Sequence, residues 1–116
     1  MRVDDLTGAA LDWAVAKAEG FEPFTDTVSW LIERDGEYVG LPQYSTDWAQ
    51  GGPIIEREKI DLEWDITRAL PERVAWFAQL DLDPREVIGE TPLESAMRCY
   101  VVAKLGDEID VPKELL

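Results

Sequence analysis

The sequence predicts an α+β domain: an antiparallel sheet of about four strands packed on one face by two main helices. Three observations lead there. One stretch near each end has helical apolar spacing, a polar starting residue and a glycine stop. Two further stretches alternate apolar and polar residues, as half-buried strands do. The dipeptide Asp35-Gly36 lies between alternating runs, where it signals a two-residue hairpin turn. The 116 residues fit one domain, 1–116. A chain of this size can bury about two-thirds of its unfolded surface, so one core suffices without covalent staples.

The first helix is expected to start at Thr7, with Leu6 and Leu11 placed as a hydrophobic staple across its first turn. Ala9, Ala10, Trp13, Ala14, Ala16 and Ala18 cover most of its circumference, leaving Gly8, Asp12 and Glu19 as a polar side. Gly20 is the stop. In the next segment Val28, Trp30 and Ile32 alternate with Thr27, Ser29 and Glu33. A register centred on Asp35-Gly36 pairs Arg34 with Glu37, Ile32 with Val39 and Trp30 with Leu41, so opposite charges meet and apolar residues meet. Residues 42–53 read as a loop, and Pro53 as the first residue of a short helix. Ile60, Leu62, Trp64 and Ile66 alternate with Asp61, Glu63 and Asp65, giving a strand with one apolar and one acidic face. A connection over residues 67–73 leads to a strand over 74–80, in which Val74, Trp76, Ala78 and Leu80 share a face. Asp83-Pro84-Arg85-Glu86 and Thr91-Pro92-Leu93-Glu94 both resemble helix starts. The first predicts one turn ended by Gly89. The second opens the C-terminal helix, with Leu93, Ala96, Met97 and Tyr100 buried and Gly106 as its end. The tail reads as extended and docked by Ile109 and Val111.

Charge narrows the function classes. There are 25 acids, 11 bases and no histidine, a formal net charge of −14, and every quarter of the chain has more acids than bases. Autonomous binding to nucleic acid needs clustered Lys and Arg, which are missing. Repulsion also disfavours anionic membranes, while basic partner proteins are favoured, including those whose own ligand is nucleic acid. Solubility alone is the plainer reading of the same charge. No apolar run approaches the roughly 20 residues of a membrane span. The acids at Asp4 and Asp5 do not suit a signal peptide, so a cytoplasmic location is expected. Without His, and with Cys99 as the lone cysteine, the sequence predicts no catalytic residue, metal site or cofactor.

Two candidate sites remain. The first is residues 44–53, where Tyr44, Ser45, Thr46, Asp47, Trp48, Gln50, Gly51 and Gly52 combine hydroxyls, a carboxylate, an amide, two aromatics and a Gly-Gly step. Such a step lets a backbone approach a ligand closely, and a helix starting at Pro53 would offer free N–H groups to an anion. The same residue types also build ordinary turns that bond their own backbone. The second is the carboxylate row Asp61, Glu63 and Asp65, spaced about 6.8 Å apart along a strand. It is an acidic surface for a basic protein or simply a solvated sheet face. Its parallel side chains do not suit calcium, which needs converging oxygens.

Three segments together resemble the NinX-like proteins of lambdoid and related prophages. They are residues 6–17 (Leu-Thr-Gly-Ala-Ala-Leu-Asp-Trp-Ala-Val-Ala-Lys), residues 44–56 (Tyr-Ser-Thr-Asp-Trp-Ala-Gln-Gly-Gly-Pro-Ile-Ile-Glu), and residues 96–101 (Ala-Met-Arg-Cys-Tyr-Val) with 104–108 (Lys-Leu-Gly-Asp-Glu). Residues 61–90 lie outside these motifs. The resemblance implies a phage or prophage accessory protein acting in a bacterial cytoplasm, and it carries over no catalytic residue. The expected function is a small acidic interaction module for a host or phage protein, with basic proteins that bind nucleic acid among the partners the charge favours. The alternative is a small-molecule or anion-binding module using residues 44–53.

Overall fold

The structure is a computed structural model and describes residues 1–64, 76–80, 83 and 85–116. Its elements are a 3₁₀ turn Val3–Asp5, α1 Gly8–Ala18, β1 Phe24–Thr25, β2 Trp30–Arg34, β3 Glu37–Gly40, α2 Trp48–Glu58, β4 Ile60–Trp64, β5 Trp76–Leu80, β6 Val87–Gly89, α3 Pro92–Leu105 and a 3₁₀ turn Lys113–Leu115. The class is α+β, as expected. The arrangement differs: the strands form two antiparallel three-stranded sheets, β1-β2-β3 and β4-β5-β6, rather than one sheet of four. Among the described residues three α-helices accompany them rather than two main ones.

The hairpin follows its turn chemistry. Asp35 and Gly36 have φ of 54° and 82°, as a two-residue turn with both centres left-handed requires. Arg34 pairs with Glu37 and Ile32 with Val39. The Leu41 N–H donates to the Trp30 carbonyl at 3.0 Å, continuing the expected register. The strand begins later than its alternation suggests. Val28 is 89% exposed and lies in a turn where the Asp26 carboxylate accepts from the N–H groups of Val28 and Ser29. That turn folds Phe24–Thr25 back as a third strand.

In the second sheet Ile60 faces Leu80, Leu62 faces Ala78 and Trp64 faces Trp76, so the apolar face of β4 is as expected. Val74, Ile66 and the connection over 67–73 lie outside the described residues. In place of the turn of helix expected after Asp83 and ended by Gly89, Val87–Gly89 form strand β6. Asp83 accepts from the Arg85 N–H at 3.0 Å and ion-pairs with the Arg85 guanidinium, and Val87–Gly89 then pairs with β5.

α3 is the central element, packed on all three strands of the second sheet and on α1 and α2. Leu6, Leu11, Val15, Ile54, Met97 and Val101 meet around it, all almost wholly buried. Its start holds as read: Thr91 accepts from the Glu94 N–H at 3.0 Å, and the Glu94 carboxylate reaches back to the Glu90 N–H at 3.1 Å. α1 ends in a Schellman motif. The Phe21 N–H bonds the Ala16 carbonyl and the Gly20 N–H bonds that of Lys17, both at 3.0 Å. At the tail, Ile109 exchanges backbone bonds with Met1 at 2.9 and 3.0 Å, and Ile109 and Val111 pack on the core.

Candidate functional site

Residues 44–53 are not a loop followed by a short helix. Asp47 caps an eleven-residue helix, α2, with Gly51, Gly52 and Pro53 inside it. The cap is stronger than the breakers. Asp47 Oδ1 accepts from the Ala49 N–H at 2.9 Å, and Gln50 Nε2 donates to Asp47 Oδ2 at 2.8 Å. Gln50 Oε1 in turn accepts from the Gln43 N–H at 3.1 Å, while the Gln43 carbonyl accepts from Thr46 and Asp47. These bonds hold the Asp47 carboxyl below its ordinary range, the Gln50 amide first and the Ala49 N–H second. Asp47 and Gln50 thus spend their bonding capacity on the turn itself.

Tyr44 and Ser45 are buried beneath this turn. Burial pushes the Tyr44 phenol up to about 12. The Ser45 N–H donates to Asp12 Oδ1 at 2.8 Å, and its hydroxyl lies 3.4 Å from the Gly8 carbonyl. Asp12 is therefore not on a solvent-facing polar side of α1, as its helical position suggests; it is 5% exposed and ties α1 to residues 44–46. The available signal was Gly8 and Asp12 one turn apart, which gives a small residue and an acceptor on one stripe. Burial raises the Asp12 carboxyl above its ordinary range, against the opposing bonds from Ser45.

Replacing Asp12 with Ala is expected to cost about 2 kcal/mol, because the Ser45 N–H is left buried and unbonded. Asp12→Asn keeps an acceptor and should stay within about 1 kcal/mol of the parent. Asp12 protonates more readily folded than unfolded. Its proton-linked stability is complete below 3.8, the unfolded value, and is lost as pH rises through the raised folded value. The parent should therefore gain on Asp12→Asn as pH falls, a trend checked by urea unfolding across pH.

Thr46 and Trp48 face outward. With Gly8, Ser45, Thr91, Leu93 and Glu94 they line an open groove of about 240 Å³. This is below the roughly 300 Å³ at which small-molecule pockets begin. The starts of α1, α2 and α3 all border it. The Asp47 and Glu94 carboxylates already occupy two of those starts, which discourages an anion. Gly51 is packed against its own protein. A Cβ there would stand 2.2 Å from the Tyr44 carbonyl oxygen and 2.7 Å from Leu93, so the close approach is between α2 and its own protein.

Asp61 and Glu63 are exposed on β4, opposite Gln79 and Phe77; Asp65 lies outside the described residues. α2 separates this pair from residues 44–48 by about 16 Å of helix. Among the described residues no group of three or more acids or Cys is placed to hold a metal. Cys99 is buried, which pushes its thiol up to about 11.

Periodicity also missed a polar cluster where α1, α2 and α3 meet. The Glu19 carboxylate accepts from the Arg57 guanidinium and the Tyr100 hydroxyl, and Arg57 lies 5.7 Å from the centre of the Tyr100 ring. Burial pushes Glu19 upward, but those bonds and the Arg57 charge outweigh it and hold the carboxyl low. Arg98, buried in α3, bonds the carbonyls of Leu6 and Ile88. Residues 6–17 are thereby joined to 44–56 through Asp12 and Ser45 and to α3 through the Leu6 carbonyl and Arg98, while Arg57, just past the second segment in α2, bonds Tyr100 of α3.

Fold and site together define a small, strongly acidic α+β protein whose most distinctive segment is an internally bonded helix start. The family model described as Bacteriophage P22, NinX matches residues 2–104, and the chain belongs to that family. A comparison with curated proteins finds no match. Among solved structures it is similar to the 2.0 Å crystal structure of a phage protein from Bacillus cereus ATCC 14579, with a TM-score of 0.54 and 20% identity over 87% of this chain and 90% of that one. At that identity the likeness speaks for a shared fold. No described helix is long and apolar enough to cross a membrane.

Proposed function

We propose that this NinX-family phage protein is a single-domain, acidic protein-interaction module that engages a basic host or phage protein in the bacterial cytoplasm. The observation that carries the reading is the net charge of −14, spread over the whole chain rather than confined to a tail. Such a field attracts basic proteins, including nucleic-acid-binding ones, and repels nucleic acid itself. The inward bonding of Asp12, Ser45, Asp47 and Gln50 supports it, since it leaves few polar groups to orient a small ligand. The test is retention of proteins from host and phage-infected lysates on the folded, immobilised chain. A basic protein should bind at low salt and elute near 1 M, where the Debye length is about 3 Å. Retention of nothing, or of a partner indifferent to salt, would sink the reading.

A second reading places a small molecule in the groove against Trp48, which is 53% exposed and forms one wall. It requires Thr46 and the Ser45 hydroxyl as polar contacts. A ligand of the native state would raise the melting temperature in a metabolite panel. A Trp48→Ala variant would lose that rise.

A further inference from the structure

The first sheet turns one face to the core, while on the other Phe24, Glu33, Tyr38 and Gly40 are exposed and Leu31 is half-buried. Strand register sets Phe24 beside Leu31, Leu31 beside Gly40 and Glu33 beside Tyr38. Alternate residues share a face, so these five stand on the side opposite Ile32, which is wholly buried, and Val39. Phe24 and Tyr38 meet edge to face, ring centres 5.3 Å apart at 75°. Tyr38 is 70% exposed and Phe24 37%. Residues 22–40 hold five acids, Glu22, Asp26, Glu33, Asp35 and Glu37, and one base, Arg34. Arg34 pairs with Glu37 on the opposite face, so the charge of the aromatic face is that of Glu33.

We infer that this face docks an arginine-bearing segment of the basic partner, an inference that rests on the interaction reading above. A guanidinium is planar and weakly hydrated. It can stack on the open ring of Tyr38 while its N–H fork bonds the Glu33 carboxylate beside it. An ammonium group matches the carboxylate but not the ring. A second copy of the chain is the poorer occupant, because like faces would bring two Glu33 carboxylates together within two bodies of net charge −14.

The experiment titrates the full chain, labelled for amide NMR, with a short arginine-rich peptide and with a lysine peptide of equal length and charge. Saturable shifts should concentrate at Phe24, Leu31, Glu33, Tyr38 and Gly40, and the lysine peptide should bind several-fold more weakly. Tyr38→Ser should weaken the arginine peptide about tenfold, the loss of one cation–ring stack. Glu33→Lys should weaken it further. Both side chains are exposed, so melting temperature should hold; if one variant proves unstable, the other carries the test. Shifts confined to Asp61 and Glu63 or to the groove at Glu94, or equal affinity for both peptides, would remove this face and leave the interaction reading intact. Tyr38-dependent dimerisation would replace the partner with a second copy. Absence of binding by either peptide, with a folded spectrum, would count against both the face and the acidic-module reading.

Discussion

Arg98→Met should destabilise the protein by about 3–5 kcal/mol, the range expected when a buried ionic partner is removed and the groups it served are left behind. Arg98 is 7% exposed in the middle of α3. Its Nε donates to the Leu6 carbonyl at 2.9 Å, Nη1 to the Ile88 carbonyl at 3.0 Å, and Nη2 lies 3.3 Å from Glu94 one turn earlier. One planar group therefore joins the segment before α1, the outer strand β6 and the first turn of α3. Met fills similar volume but donates nothing, stranding two carbonyls. Bonds to charged groups are worth about 1.5–3 kcal/mol each, so the two carbonyls alone account for the loss. Arg98→Lys should lose about 2 kcal/mol, since a single ammonium cannot serve all three directions. Chemical denaturation checks both. A midpoint for Arg98→Met within error of the parent would show that the guanidinium bears no load. Against a typical stability of about 5–15 kcal/mol, the expected loss leaves a partly unfolded population at physiological temperature.

Arg98 also shows what sequence patterning reaches and where it stops. Local chemistry was legible where one dipeptide or cap decides the outcome: the Asp35-Gly36 hairpin and its register, the Thr91 start of α3, the Gly20 and Gly106 ends. Alternation gave the apolar face of β4 but not its sheet. Each antiparallel pair takes its third strand from a run too short to announce itself, Phe24–Thr25 in one case and Val87–Gly89 in the other, and so two sheets form. An isolated charge on an apolar helix carries no mark of a distant partner. Asp12 reads as part of a polar helix side, and Arg98 draws no reading of its own, until residues 33 and 92 positions away are brought beside them. Within the candidate site, Tyr44, Ser45, Thr46, Asp47, Trp48, Gln50, Gly51 and Gly52 are brought together by the fold, yet several are joined to each other rather than turned outward. The Gly-Gly-Pro run hid α2, because propensity is a weak prior that packing and a good cap can override.

The neighbouring glycines of α2 give the clearest test of that override, with substitutions of opposite sign. Gly→Ala inside a helix ordinarily gains about 1 kcal/mol, since alanine loses less backbone freedom on folding. Gly52 should follow the rule. A Cβ there meets only the Trp48 ring, at 3.7 Å, an ordinary contact. Gly52→Ala is therefore expected to stabilise by about 0.5–1 kcal/mol. Gly51 should reverse it. The added carbon would stand 2.2 Å from the Tyr44 carbonyl oxygen and 2.7 Å from Leu93 Cδ1. Leucine can change rotamer; the carbonyl cannot withdraw without disturbing the turn anchored on Asp12. Gly51→Ala should cost about 3 kcal/mol, at the upper end of overpacking penalties. The pair would then melt roughly 15 °C apart, a gap of about 4 kcal/mol in a domain of this size. The explanation is local to the turn, so Gly51→Ala should also lose protection of the Ser45 amide in hydrogen exchange before the amides of α3 are affected. Equal melting temperatures for the two variants would mean that α2 does not press on Tyr44, and the internally closed turn would have to be abandoned in favour of an open segment.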